Sequence, residues 1–354
     1  MAEAQNSNRK PVIYGAGAIG GLIGAYAQRA GHAVLLVDKA ADHVRCMNEH
    51  GLHVFGDHGD FTVPVNAALP DDLPGELDLV LLAVKGQDTE AALDVIAPKL
   101  AASGAIVSLQ NGLMEAVIAR RVGKERVVGA FVNFAADYKG PGQILEGAGG
   151  NVYLGEIDGR SSARLERIAD LIRPAKPVVV TDNILGYLWA KQAYASLAFA
   201  TALVDAPIGD VLDSERNKRV CIALCREAIA VATALGYRLE PFSDFDPGLY
   251  DSQNRADLQR TFDSLQEYGD RSRASAKNHT GIWHDLVVRR RKTEVEPILG
   301  EMVRQGQARG VDVRLNETLV RIIHEIEDGE RQMGWHNFDE LEVLARSQEK
   351  WFSY

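Results

Sequence analysis

Cysteine is nearly missing from this 354-residue chain. Cys46, Cys221 and Cys225 are odd in number and have no metal-site companions at useful spacing. Neither a disulfide framework nor a zinc site is therefore expected, and no metal is assigned. A reducing cytoplasm suits such a chain. Long uncharged apolar runs are absent too: the longest mainly apolar stretch, residues 184–204, is broken by a lysine, and the polar first ten residues contain no apolar signal core. No membrane association is expected. Positive charge is the minority sign, with 39 Lys and Arg against 49 Asp and Glu for a net of -10. A basic face able to neutralise several phosphates is not apparent, so nucleic acid is not an expected partner. The local run Arg289, Arg290, Arg291, Lys292 reads as a solvated helix face or a clamp for a small anion.

The length exceeds what one hydrophobic core usually serves, and 46% hydrophobic residues can fill two. Residues 1–182 alternate apolar strand-like runs with amphipathic stretches. The runs, at residues 12–14, 33–37, 79–84, 105–109 and 127–131, are near-continuously apolar, as strands of a parallel sheet covered on both faces must be. Residues 151–154 and 177–180 are expected as added edge strands. From 183 to 354 long helical patterns dominate, at 184–204, 216–235, 285–308 and 316–327. Residues 242–250 and 269–278 read as loops. The expected fold is α/β: an N-terminal Rossmann domain with a doubly wound parallel sheet, followed by an all-helical C-terminal domain.

Within the first run, Val12-Ile13-Tyr14 leads into Gly15-Ala16-Gly17-Ala18-Ile19-Gly20, three glycines at dinucleotide-binding spacing between a strand and a helix. Gly15 permits the tight turn, Gly17 lets backbone approach a pyrophosphate, and Gly20 lets helix pack closely on strand. Phosphates would rest on the helix N-terminus, where unpaired N–H groups favour negative charge, so Ala18 and Ile19 join the glycines as expected cofactor contacts. Some twenty residues on, the second strand ends in Asp38, placed to accept hydrogen bonds from ribose hydroxyls and to repel a 2'-phosphate. NAD is the expected cofactor. NADP remains open, because the adjacent Lys39 can contact a phosphate, and Asp38 can also be an ordinary strand-end turn residue.

Lys191 is the only lysine, arginine or carboxylate in residues 184–204. An unpartnered buried ammonium is costly, so the side chain either snorkels to the surface or faces a cleft where it can give its proton to a developing alkoxide. Lys85 and Asn111 follow two strands and should emerge at the carboxyl edge of the sheet, where open α/β sheets bind ligands. The amide of Asn111 can hold the nicotinamide ribose or a substrate oxygen, although Asn-Gly is also a common plain turn. Glu294, after Thr293 on an expected helix, can hold a substrate hydroxyl or pair with Arg290 or Arg291 one turn back.

These pieces together resemble the ketopantoate reductase family, which joins a Rossmann domain to a helical domain like that of 6-phosphogluconate dehydrogenase. The resemblance is carried by GAGAIGG at 15–21, AVKGQDT at 83–89, SLQNGL at 108–113, the helix bearing Lys191, and RKTEVEPILG at 291–300. It implies that Lys191 is the general acid, Glu294 the carboxylate for the substrate hydroxyl, Asn111 the cofactor or substrate amide and Lys85 a cofactor contact. It also implies a homodimer through the helical half. The chain departs from the family where asparagines one and two turns after the lysine are replaced by Ala195 and Phe199. An expected serine is replaced by the stretch 279–284, in which Thr280 can supply the hydroxyl. An aromatic tail with Trp335, Phe338, Trp351 and Phe352 extends beyond the usual length and can cover an interface or a pocket. The expected function is NAD-preferring hydride transfer to or from a small-molecule secondary alcohol or ketone, larger or less polar than ketopantoate and degraded rather than made. The alternatives are 2-dehydropantoate reduction for pantothenate synthesis and a non-catalytic nucleotide sensor.

Overall fold

A computed structural model describes residues 9–56, 59–147, 149–274 and 278–347. The chain divides into two compact units, Met1–Ile184 and Leu185–Tyr354. In the first, the strands are β1 (Val12–Tyr14), β2 (Leu35–Val37), β3 (Leu52–Gly56), β4 (Gly59–Val63), β5 (Asn66–Ala68) and β6 (Leu77–Leu82). They continue with β7 (Leu100–Ser108), β8 (Val127–Val132), β9 (Ala136–Gly140), β10 (Gln143–Glu146), β11 (Val152–Glu156) and β12 (Val178–Val180). Its helices are α1 (Ala18–Arg29), α2 (Ala41–His50), α3 (Thr89–Ile96), α4 (Met114–Val122) and α5 (Ala163–Ile172).

Eight strands form one sheet in the order β12-β11-β8-β7-β6-β1-β2-β5, and the last six in that order, β8, β7, β6, β1, β2 and β5, run parallel. Alternate residues explain the continuous apolar runs. Ile13, Leu36, Leu81, Val107 and Val128 belong to one core, beneath Leu22 and Ile23 of α1. Val12, Tyr14, Val37, Val80, Leu82 and Ile106 belong to another, beneath Leu93 of α3 and Ile118 of α4. The strand order reverses between β1 and β6, so the chain's path leaves a crevice at their carboxyl ends.

Two expectations for this unit need correction, and one sheet is new. Residues 151–154 are not an edge: β11 lies inside the sheet, antiparallel to β8 and parallel to β12, which is the true edge. Unforeseen from the sequence is a second sheet, β4-β3-β10-β9. Its strands cover their core on one face only, as the alternating burial of β3 records, and so lack the continuous apolar run that marks the first sheet. Residues 33 and 34 precede β2 rather than starting it.

The second unit carries helices α6 (Ile184–Thr201), α7 (Ile208–Leu212), α8 (Glu215–Ala234), α9 (Pro247–Asp251), α10 (Arg255–Ala274) and α11 (Gly281–Trp283). They are followed by α12 (Glu301–Ala308), α13 (Arg314–Glu327) and α14 (His336–Ser347). The core surrounds α8, which packs against α12, α13 and α14. Glu227 of α8, fully buried, accepts the N–H groups of Leu315 and Asn316 at 3.0 and 2.9 Å and so caps α13. Arg226 beside it donates to the carbonyls of Tyr250 and Ser252, tying down α9.

Here too the structure corrects the sequence reading. Residues 242–250 are not all loop, since a bridge joins Phe242 to Phe245 and α9 begins at Pro247. The expected loop at 269–278 is helical to Ala274, while residues 275–277 lie outside the described part. α10 and α14 were not foreseen because charged residues crowd their surfaces. The expected helix at 285–308 is interrupted: a wide turn over His284–Val288 ends before Arg290, whose φ is +49°, and helix resumes only at Val295. Phe338 is buried in α14, Trp335 is 46% exposed, and Trp351 and Phe352 fall outside the described residues.

Candidate functional site

The glycine turn is built at the switch point of the large sheet. Gly15 has φ +99°, and a Cβ there would lie 2.8 Å from the carbonyl carbon of Ala83, so the turn after β1 presses against the chain leaving β6. A Cβ on Gly20 would stand 2.1 Å from the Gly15 carbonyl oxygen, which sets how closely α1 approaches. Gly17 differs, since a Cβ there would meet nothing within 4 Å. The first helical bond runs from Gly21 N–H to Gly17 C=O at 2.7 Å. The N–H groups of Ala18, Ile19 and Gly20 consequently have no intrahelical acceptor. No side chain caps α1 and its first turn holds no acidic residue, which leaves this N-terminus suited to an anion.

The N–H groups of Gly15 and Ala16 both donate to the carbonyl of Val37, at 2.8 and 3.1 Å, which places Asp38, the next residue, beside the glycine turn. The Asp38 Oδ1 accepts the N–H of Ala40 at 3.0 Å, holding the carboxylate at the mouth of β2. Lys39 forms an ion pair with Asp88 at 2.9 Å. Lys85 precedes a single tight turn, Gly86–Asp88, at the end of β6. Asn111, exposed, stands three residues past β7, before Gly112 at φ +85°. Gly15, Gly17, Ala18, Ile19, Gly20, Asp38, Lys85 and Asn111 thus all lie on the carboxyl side of one sheet.

Two residues that organise this edge went unread in the sequence. Gln110 is buried, and its Nε2 donates to the Val84 carbonyl at 3.0 Å and to Thr89 Oγ1 at 2.7 Å, joining the ends of β6 and β7. His43, buried in α2, contacts the carbonyl of Ala16. A lone glutamine or histidine in a motif or helix offers no periodic signal, so neither could be found by pattern.

In the second unit, α6 is apolar nearly all round. From residue 186 to its end the partly exposed positions are Tyr187, Lys191, Tyr194, Ala195 and Ala198, one stripe at helical spacing with Lys191 as its only charge. The Tyr194 hydroxyl donates to that of Tyr268 on α10 at 3.0 Å. Burial, reinforced at Tyr194 by the neighbouring phenol, pushes both above the usual tyrosine range and keeps them neutral. Phe199, expected as apolar pocket surface, is instead 1% exposed and belongs to the core. Ala195 alone of the two replaced positions lies on the open stripe.

Glu294 sits in the bend just before the helix that starts at Val295, not on a helix as expected. Arg291 and Arg289 bind Asp285 at 2.8 Å, and Lys292 binds Asp328 at 3.1 Å, so three of the four basic residues are paired, in a turn rather than on a helix face. Thr280 caps α11, its Oγ1 accepting the Trp283 N–H at 3.1 Å, which leaves its hydroxyl proton to donate elsewhere. The Trp283 ring stacks on His279 at 3.9 Å and its Nε1 donates to Asp205 at 2.8 Å. A cavity of about 670 Å³ between α8 and α10, lined by Lys218, Arg255 and Phe262 among others, contains none of the expected site residues. Among the described residues no helix is long and apolar enough to cross a membrane.

Similarity to known proteins agrees with this architecture. Residues 12–159 match the family model of ketopantoate reductase PanE/ApbA, and residues 183–327 match the model of its C-terminal domain. A 2-dehydropantoate 2-reductase of Archaeoglobus fulgidus is 29% identical over 322 residues, 90% of this chain and 97% of the relative. A PanE/ApbA family ketopantoate reductase structure from Ralstonia eutropha superposes with a TM-score of 0.75 at 28% identity, covering 92% of this chain and 100% of the other. A D-mandelate dehydrogenase solved with NADH and anilino(oxo)acetate shares the fold, with a TM-score of 0.77 at 22% identity over 91% of this chain and 99% of that one. With both units matched in order, the chain belongs to the ketopantoate reductase family, whose members are oxidoreductases acting on CH–OH groups.

Proposed function

We propose that this chain is an NAD-preferring dehydrogenase acting on a secondary alcohol or ketone bulkier and less polar than ketopantoate, and that it works in the oxidative direction. The observation that carries the reading is the stripe of α6 on which Lys191 stands, whose other partly exposed positions, Tyr187, Tyr194, Ala195 and Ala198, include no amide residue. A small polyoxygenated acid needs each buried polar group paired, at a cost of roughly 1–3 kcal/mol for each that is not. This stripe offers apolar area instead.

The glycine turn fits a dinucleotide, since Gly17 has open space and the α1 terminus carries neither cap nor acid. Gly15, Gly17, Ala18, Ile19 and Gly20 would hold the pyrophosphate and Asp38 the ribose hydroxyls, with Lys85 and Asn111 at the crevice beyond. The nicotinamide, when bound, supplies the hydride acceptor. Lys191 exchanges the proton of the reacting hydroxyl, Glu294 accepts a hydrogen bond from a different hydroxyl of the substrate, and the Thr280 hydroxyl donates to a substrate oxygen. Lys39, the basic residue next to Asp38, is ion-paired with Asp88, which weakens its claim on a 2'-phosphate and supports NAD over NADP.

A second reading, 2-dehydropantoate reduction, is favoured by the Archaeoglobus relative, a 2-dehydropantoate 2-reductase. The two are separated by giving the purified protein NAD with a panel of 2-hydroxy acids and aryl alcohols and following NADH absorbance. Turnover of an aryl or long-chain alcohol supports the proposal; turnover of pantoate alone supports the second reading.

A further inference from the structure

His43 is 1% exposed, and both of its ring nitrogens are engaged by backbone. Nδ1 accepts the N–H of Gly142 at 2.9 Å and so carries no proton. In the neutral ring the proton is then on Nε2, which donates to the carbonyl of Ala16 at 2.9 Å. Ala16 lies between the first two glycines of the turn. Gly142 lies in the turn between β9 and β10, and a Cβ there would sit 2.7 Å from the Cys46 sulfur, so this turn is pressed onto α2. Tyr138 of β9 meets the imidazole edge-on at 5.1 Å. The second sheet therefore holds the ring, and the ring holds the glycine turn.

A trans peptide is planar, with its C=O and N–H pointing in opposite directions. Fixing the Ala16 carbonyl towards His43 therefore aims the Gly17 N–H away from it, at the residue where a Cβ would meet nothing within 4 Å. Glycine on both sides of Ala16 would otherwise let this peptide rotate cheaply. We propose that His43 is a positioning residue for the dinucleotide: through its Nε2–H it locks the Ala16–Gly17 peptide with the Gly17 N–H directed at the phosphates. The inference rests on the dinucleotide reading of the glycine turn. It also gives the β9–β10 turn a role, that of fixing the tautomer.

Three variants separate the two imidazole bonds. His43→Gln keeps an amide donor near the Nε2 position and loses the Nδ1 acceptor. His43→Asn keeps an acceptor near Nδ1 and loses the donor to Ala16, and His43→Ala loses both. NADH affinity is read by fluorescence titration of the full chain, with melting temperature and the KM values for cofactor and substrate alongside. The expected result is a five- to ten-fold rise, roughly, in the NADH Kd and cofactor KM for the Asn and Ala variants. The Gln variant stays within about two-fold of the parent even if it melts earlier, and the substrate KM is unchanged in all three. An unchanged Kd in His43→Ala, or a Gln variant as weak as Ala while the parent binds NADH, would overturn the positioning role alone. A parent chain that binds neither NADH nor NADPH would overturn the dinucleotide reading, and this inference with it.

Discussion

Replacement of Asp38 should change which cofactor is used. Its carboxylate is held by the Ala40 N–H at 3.0 Å, one residue beyond the Val37 carbonyl that anchors the glycine turn. A ribose 2'-phosphate carries close to two negative charges. Placed about 5 Å from the carboxylate, it would be repelled by about 1.7 kcal/mol in a water-like dielectric and about 6.6 kcal/mol at an effective dielectric of 20. The lower figure alone corresponds to a preference for NAD of about 15-fold. Asp38→Ala removes the repulsion together with one bond to the ribose hydroxyls, so NAD use falls while NADP use rises. The assay is kcat/KM with each cofactor at saturating substrate, in the parent and in Asp38→Ala, at low and at 0.5 M salt (roughly a 4 Å screening length, which should shrink the gap). Equal or better use of NADP by the parent would refute the reasoning, as would an Asp38→Ala variant with an unchanged ratio.

Three further outcomes are expected. Lys191→Ala should lower kcat about 100- to 10,000-fold while leaving NADH affinity within about two-fold, the signature of a lost general acid and base; an unchanged kcat would make Lys191 a snorkelling side chain. Gly20→Ala puts a methyl 2.1 Å from the Gly15 carbonyl, so α1 must move: overpacking of about 1–3 kcal/mol should lower the melting temperature by about 3–10 °C and weaken NADH binding. An unchanged melting curve would contradict the packing. Arg331 bridges Glu325 at 2.9 Å and Glu340 at 2.6 Å, and together with Arg321 holds both carboxyls below their ordinary value of 4.5, at Glu340 against the opposing effect of burial. Folded-state values depressed in this way add stability that is fully present above about pH 5 and is lost as pH falls through them. The melting temperatures of the parent and Arg331→Ala should accordingly differ at pH 7 and draw together as pH falls below 4.5; a gap independent of pH would assign the effect to packing.

The large sheet was legible because strands buried on both faces write continuous apolar runs, and the glycine turn because Gly15 and Gly20 have steric duties few other residues can meet. The second sheet was not, since β3 and β4 bury one face only and their alternation is short and interrupted by polar residues. Helix α10 hid behind charge: its exposed face pairs Arg260, Arg271 and Arg273 with acidic residues, which on sequence alone looks like loop. The break at 289–294 was invisible for the opposite reason. Arg290 adopts φ +49° without being glycine, supported by Asp285 holding Arg289 and Arg291 on either side. Lys191 could be singled out as a lone charge in an apolar helix, whereas only the fold shows that Ala195 shares its open stripe and Phe199 does not. His43 could not be found at all, because both of its partners are backbone groups distant in sequence.

The account turns on what the stripe around Lys191 accepts. The most direct test is a head-to-head comparison of kcat/KM for ketopantoate and an aryl 2-oxo acid, each reduced by NADH with the same preparation of the full chain. The account predicts that the aryl substrate is used at least about ten-fold better, as expected when one polar contact of roughly 1.4 kcal/mol is exchanged for apolar burial. Ketopantoate reduction above about 10,000 per molar per second, within the ordinary enzyme range, together with no measurable use of the aryl acid, would contradict it.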